Sequence, residues 1–518
     1  MNANGDQGFS AARPGFTPDR APGETPPPAG KNDVFSAKEK LLAWVSAFLG
    51  YLFCRTFWVW KKPAVGLLFT LCLFAFAFIF FGKEKRRLRS LFYPVSALAV
   101  SSALFFSSSP VLLFFAFAYT CLSFFMFCRT GSEGSVETSA GRLYFFEMIG
   151  AMFVDPFRRF SSMIRAIGSD RGGKKIGKTL LLVLAGLGIA LIPTLIVMKL
   201  LSFDEGFTGI LDDIRENVFE KLFGHLGSLL CGVPAGMMIF SAAYSAAHPA
   251  ADGFCRENCE NTAEAMKIAP PVVGAVAVAP LLFLYTVFIV AQRDYYLAVL
   301  SGTLPPAFSF SGFARDGFFR LCGVAAINAI MLVMLRIFTK RTAGGRISPV
   351  VKTVSVVLSL ITIVISGTAI SQMVMYVSEY GLTRLRLYTL WFMALLVILF
   401  FITVLGQILP GFRTAPALIA AFVICFAALA VPDTDAVIAR HNYDCYMSGK
   451  TSQIDVDYLG RLAPSSVPVL CEIASDERID ESVRSQARIG IKRYRTDTKR
   501  GFTLPSILAD RALKEYGG

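Results

Sequence analysis

Gln372, Tyr376, Tyr380 and Thr383 recur at helical spacing and therefore share one side of a helix. Gly381 breaks that helix, and Arg384 and Arg386 follow at once. An arginine fork beside tyrosine and threonine hydroxyls suits the binding of a phosphate or carboxylate. Two further stretches carry the same residue types. One runs from Gln292-Arg-Asp-Tyr-Tyr296 to Arg315 and Asp316, and the other is Pro432-Asp-Thr-Asp-Ala-Val-Ile-Ala-Arg-His-Asn442. The ligand-binding set expected from sequence is Gln292, Arg315, Asp316, Tyr376, Tyr380, Thr383, Arg386, Arg440 and Asn442. The plainer reading is an aromatic belt with snorkelling arginines at a membrane surface.

Other chemistry is weakly marked. His248, Cys255, Glu257, Cys259 and Glu260 lie close in sequence, but Cys-x-x-x-Cys has no second pair and structural zinc needs four ligands. No metal site is expected. His225 and His441 are isolated, and no Ser or Cys nucleophile is spaced to join them in a triad. No cofactor fingerprint or catalytic residue stands out. Cys445 and Cys471 could pair if their segment meets an oxidising compartment, though spacing does not show their distance.

The elements that must position these residues are membrane spans. Of the 518 residues 54% are hydrophobic and only 17% charged, against about 25% charged in soluble domains. Apolar runs near 41–59, 64–82, 90–107, 109–128, 179–200, 223–246, 271–291, 321–339, 353–375, 387–408 and 414–431 are separated by short charged loops. Runs of this length read as transmembrane helices, because only helices or closed barrels satisfy their backbone groups in lipid. The expected fold is an all-α polytopic membrane protein with about eleven spans. Residues 1–37, rich in Pro and Gly, read as a disordered cytoplasmic N-terminus. Residues 38–431 form the bundle, and 432–518 a small helical extracytoplasmic tail.

Orientation follows from the loops. Lys83-Glu-Lys-Arg-Arg-Leu-Arg89, the segment 129–178 and the group Arg336, Lys340, Arg341, Arg346 and Lys352 are basic, hence cytoplasmic. The loop 202–221 carries six acids and faces outside. The net charge of +14 is thus a topology signal, and nucleic acid is not an expected partner; membrane lipids are. Residues 143–167 have an apolar body and arginines near one end, the pattern of an amphipathic segment on the cytoplasmic interface, with a buried packing helix as the competing reading. Gly232-Val-Pro-Ala-Gly236 and Pro280 mark places where spans would break, as transporter helices do at substrate paths, or simply kink.

Three motifs carry a family likeness: Arg-x-Gly-Phe-x-x-Leu at 315–321, Met-x-x-Tyr-x-x-x-Tyr-Gly-Leu-Thr-x-x-Arg at 373–386, and Ile-Ala-Arg-x-Asn at 438–442 followed by Asp-x-x-Tyr-Leu at 455–459. Over about 200–470 the chain resembles the bacterial multi-pass membrane family DUF4173, related to DUF4153. The resemblance implies a bacterial cytoplasmic (inner) membrane protein and supplies no activity. Three function classes fit: a permease- or flippase-like protein handling an anionic, envelope-related and lipid-linked ligand; a non-catalytic scaffold or sensor; and a membrane-embedded transferase acting on a lipid-linked substrate, with Glu379 and Asp316 as the near carboxylates. The first is favoured, because many spans with broken helices suit transport better than anchoring.

Overall fold

The computed structural model describes residues 35–58, 64–82, 90–130, 143–169, 220–248, 256–293, 311–342, 347–496 and 501–517, with isolated positions between 182 and 197. The expected disordered segment, apart from its last residues, and the expected span at 179–200 largely lie outside the described residues. Among those residues the chain is helical, with no strand and one isolated bridge, Ala269 to Thr339. The membrane part comprises α1 (Ala37–Trp58), α2 (Ala64–Phe81), α3 (Phe92–Ser101), α4 (Ala103–Phe106), α5 (Pro110–Arg129), α6 (Tyr144–Ile149), α7 (Asp155–Arg158), α8 (Ser162–Ile167), α9 (Glu220–Ala247), α10 (Arg256–Ala265), α11 (Pro271–Ala291), α12 (Ser311–Phe338), α13 (Pro349–Tyr380), α14 (Arg384–Ile408) and α15 (Thr414–Ala430). The tail adds α16 (Thr434–Met447), α17 (Val456–Arg461), α18 (Val467–Ser475), α19 (Glu481–Thr496) and α20 (Leu504–Gly517).

Six of these helices are long and apolar enough to cross a membrane: α5, α9, α11, α12, α13 and α14. A seventh is reached if α15 and α16, bent by 61° at their junction, count as one. The expected eleven are not all reached on this measure. The apolar parts of α2 and α3–α4 are shorter helices, and α1, with Lys38, Glu39, Lys40 and Arg55, is not among the six.

Contacts sort the connections onto two opposite faces. Glu39 meets His248 at 3.6 Å while Tyr51 bonds His225 at 2.7 Å, so α1 and α9 run antiparallel. On the first face, the Lys38 ammonium donates to the Phe80 carbonyl, and the Ser241 and Ser245 hydroxyls donate to the Asp155 carbonyl. Phe145 and Phe146 share a cavity with Met266, Lys267 and Arg341, so the connections joined by the Ala269–Thr339 bridge lie on the same face. This basic face carries Arg129, Arg158, Arg159, Lys267, Lys340, Arg341 and Arg413. On the opposite, tail face, Ser108 bonds Asp435 and Leu382 bonds Asn442.

The membrane helices form two bundles. In the first, α1, α2, α5, α8 and α9 bury a phenylalanine-rich core that includes Phe69, Phe76, Phe124, Phe127 and Phe240. The closest approach is α1 against α9. A Cβ on Gly50 would stand 2.0 Å from the Gly232 carbonyl oxygen, and one on Gly236 would stand 2.6 Å from the Ser46 carbonyl oxygen. Small residues four apart on both helices let the backbones touch, which is how helices gain van der Waals contact where lipid supplies no hydrophobic drive. Pro234 sits inside α9 and Pro280 inside α11, and both helices continue through them. The breaks expected there are therefore not formed: the glycines serve helix contact instead.

Residues 143–167 pack on the first bundle. Glu147 and Asp155 are buried against Arg129, itself 2% exposed, at 3.3 and 2.8 Å. Charges this deep persist only when paired. Met163 and Ala166 join the core, whereas Phe145, Phe153 and Phe157 are exposed. The segment thus shows both an apolar outward side and a buried, ion-paired one.

In the second bundle α11, α12, α13 and α14 share a core that continues without interruption into the tail through Val377, Leu382, Ile438, Leu459, Leu470 and Ile491. A buried chain of hydrogen bonds ties three spans: the Tyr285 hydroxyl donates to Asn328 Oδ1 at 2.7 Å, and Asn328 Nδ2 to Thr362 at 2.9 Å. Such interhelical bonds hold polar groups that lipid cannot satisfy. The bundles meet where Val100, Ala103, Leu112 and Ala116 face Phe426, Leu429 and Ala430.

Candidate functional site

Of the residues expected from sequence, Tyr376, Tyr380, Thr383, Arg386, Arg440 and Asn442 lie where the tail meets the spans. Gly381, with φ +72°, ends α13, and Thr383 caps α14 by accepting from the Arg386 amide. Arg386 turns back, donating to the carbonyls of Tyr380 (2.8 Å) and Gly381, and its guanidinium lies 4.4 Å from the Tyr376 ring centre. It closes the C-terminal end of α13, where a cation also suits the helix dipole. Asn442 holds the turn from the tail side: Oδ1 accepts from the Leu382 amide at 2.6 Å, and Nδ2 donates to the Leu382 carbonyl at 2.9 Å. A Cβ at position 381 would meet Asn442 Oδ1 at 2.9 Å, so glycine is required there by both φ and space.

The fork of Arg440 already holds Glu472, at 2.7 and 2.6 Å, and is half-exposed. Gln292 caps the C-terminal end of α11. Arg315 and Asp316 fall in the first two turns of α12, and their side chains lie outside the described residues. The structure thus brings Tyr376, Tyr380, Thr383, Arg386 and Asn442 to one turn, with Arg440 on the next helix engaged by a tail carboxylate. Cys445 and Cys471 are both free: Cys471 is buried in the tail core, and Cys445 faces His441 at 3.6 Å. Among the described residues no three metal-ligating side chains converge.

The more deeply buried of the two bidentate ion pairs at this junction involves a residue outside the expected set. Arg384 Nε and Nη2 each donate to Asp435 at 2.7 Å, a bidentate pair whose carboxylate is fully buried. The Ser108 hydroxyl also donates to Asp435, and the Tyr458 hydroxyl accepts from the Arg384 amide. One pair therefore gathers the α4–α5 loop, α14, α16 and α17. The sequence signal was the paired acids of Pro-Asp-Thr-Asp, which carry no indication of their partner.

Burial pushes the neighbouring Asp433 carboxyl up to about 6; the Ser465 hydroxyl opposes this and the Asp435 charge adds to it. A raised carboxyl value means that the folded protein binds this proton more tightly than the unfolded chain. Its contribution is least unfavourable below the ordinary value of 3.8, and stability is lost as pH rises through about 6. Asp433→Asn should remove that loss. The stability gained by the variant over wild type should grow by up to about 3 kcal/mol between pH 4 and 7.5. Unfolding midpoints in detergent across that range check this, and a pH-independent difference would contradict it.

A second site lies within the membrane part, between the bundles. A cavity of about 450 Å³ is walled by α3, α5, α6, α12, α14 and α15. Its lining is almost wholly apolar, with Met126, Ala329, Leu396, Phe400, Ile419 and Phe422 among the walls. Hydroxyls collect along one edge: Tyr93 and Tyr144 stand 3.3 Å apart, and Tyr119 donates to Ser96 at 2.8 Å. The volume falls in the range of small-molecule sites. No single apolar run in the sequence shows it, because six elements contribute its walls.

The fold and these sites define an all-helical multi-pass membrane protein whose tail is fastened to its spans by a buried ion pair. Residues 94–473 match the family model described as Domain of unknown function (DUF4153), and the chain belongs to that family. The match begins inside α3 and ends inside α18, so it takes in the tail junction and nearly all of the cleft. No curated protein and no solved structure matches the chain.

Proposed function

We infer that this protein handles lipids: it takes the chains of an amphiphile into the cleft between its two bundles, in the manner of a permease or flippase. The observation that carries this reading is the 450 Å³ apolar cavity at the seam of the bundles, inside the thickness of the membrane part. A pump for a small ion would instead need buried acids along a path, and the cavity lining contains none. The basic face is placed in the cytoplasm of a bacterium and the tail outside, following the positive-inside rule. The transferase reading gains no support from Arg386, whose described partners are two carbonyls and a tyrosine ring.

The test fills the cleft. Ala329 lines it, is only partly buried and sits at the edge of the second-bundle core, so Ala329→Trp places an indole in the cavity. Protein extracted in mild detergent should carry tightly bound lipid by native mass spectrometry, and Ala329→Trp should carry several-fold less at an unchanged unfolding midpoint. Equal lipid on both proteins would remove the basis of the reading.

A further inference from the structure

We propose that the cleft selects lipids with a phosphate head group, read at its basic end by Arg336 and Arg413; this rests on the lipid-handling role inferred above. A second cavity, of about 560 Å³, opens on the basic face and is lined by Phe145, Met266, Lys267, Arg336, Arg341 and Arg413 among others. A smaller one, of about 130 Å³, shares Arg336 and Arg341 and adds Lys340. Val333 and Leu418 line all three cavities, so the cationic pair adjoins the apolar cleft directly. The arrangement is apolar inward and cationic outward, the complement of an acyl or isoprenoid chain that ends in an anion.

The cations come from three separate connections: Lys267 between α10 and α11, Arg336, Lys340 and Arg341 where α12 ends, and Arg413 ahead of α15. The positive-inside rule asks for cations on a face. It does not ask three loops to place them around one cavity. No acid lines any of the three cavities. Glu264, beside the rim, is held by Lys267 at 2.8 Å, and among the described residues Arg336 and Arg413 have no carboxylate partner. Two guanidinium forks without a carboxylate, at the end of a chain-sized apolar space, are suited to a phosphate, which accepts paired N–H donors from each. Two of the arginines expected from sequence differ on this point, since Arg440 has Glu472 and Arg386 has backbone carbonyls.

The test compares two probes with identical chains, dioleoyl phosphatidic acid and dioleoylglycerol, titrated onto full-length protein in neutral detergent and counted by native mass spectrometry. Wild type should prefer the phosphate-bearing lipid by roughly tenfold or more, the scale of one or two charge-assisted bonds. Arg336→Gln with Arg413→Gln should reduce that preference to near unity while dioleoylglycerol still binds. Inorganic phosphate at tens of millimolar should fail to displace the lipid, because it lacks the chain. Equal binding of the two lipids to wild type overturns the head-group assignment and leaves the lipid cleft standing. Retention of the preference by the double variant overturns it as well, and displacement by inorganic phosphate shows a free-phosphate site instead. If Ala329→Trp binds dioleoylglycerol as wild type does, the failure lies with the cleft itself.

Discussion

Gly50→Leu should prevent the first bundle from assembling. A Cβ at position 50 would sit 2.0 Å from the Gly232 carbonyl oxygen and 2.4 Å from the Gly236 amide nitrogen, and both are backbone atoms that cannot swing aside. Relief requires α1 and α9 to separate, which exposes Leu42, Ala43, Leu49, Phe240 and Ala243 along their shared core. Overpacking with side-chain adjustment alone costs about 1–3 kcal/mol. A forced separation of two backbones should exceed that, and the protein should elute as aggregate or unfold at a markedly lower temperature in detergent. Gly227→Ala is the matched control, since a Cβ there meets nothing within 4 Å. Alanine is the better helix former, so the control should hold or slightly raise the midpoint. A wild-type midpoint for Gly50→Leu would mean that α1 does not cross α9 at these glycines.

That pair of helices also shows what a sequence can and cannot disclose. The apolar run read at 271–291 is α11, and the run at 387–408 lies within α14, because hydrophobicity and length are local properties. Whether Gly232-Val-Pro-Ala-Gly236 breaks a helix or seats one depends on α1, nearly two hundred residues earlier, and periodicity carries no record of that neighbour. The same holds for the charged groups. Arg440, Arg386 and Arg384 were equally plausible ligands for an anion by type. Their partners separate them: a carboxylate thirty-two residues on, two adjacent carbonyls, and a buried aspartate fifty-one residues away. Arg336 reads as a topology signal because loop charge is a sufficient reason for its presence, and Arg413, alone between two apolar runs, carries no signal of its own. Only the fold places both beside one cavity.

Arg384→Met should loosen the tail from the spans, and its effect should exceed that of removing the carboxylate. Asp435 is fully buried, so loss of its partner strands a charge with the Ser108 hydroxyl as its remaining donor among the bonds described. Stranding a buried charge costs about 3–5 kcal/mol. Asp435→Asn should cost less, since the guanidinium is 31% exposed and can reach water while the amide oxygen still accepts one bond. Arg384→Met combined with Asp435→Leu removes both charges and should recover much of the single-variant loss, because a well-packed apolar pair can replace a buried ion pair at little net cost. Hydrogen exchange of α16 and α17, with unfolding midpoints of the two singles and the double, closes the cycle. Faster exchange confined to those helices in Arg384→Met would show that the pair acts as the fastening. Equal losses in Arg384→Met and the double variant would show instead that the continuous apolar core through Leu382, Ile438 and Leu459 holds the tail, with the ion pair setting only its position.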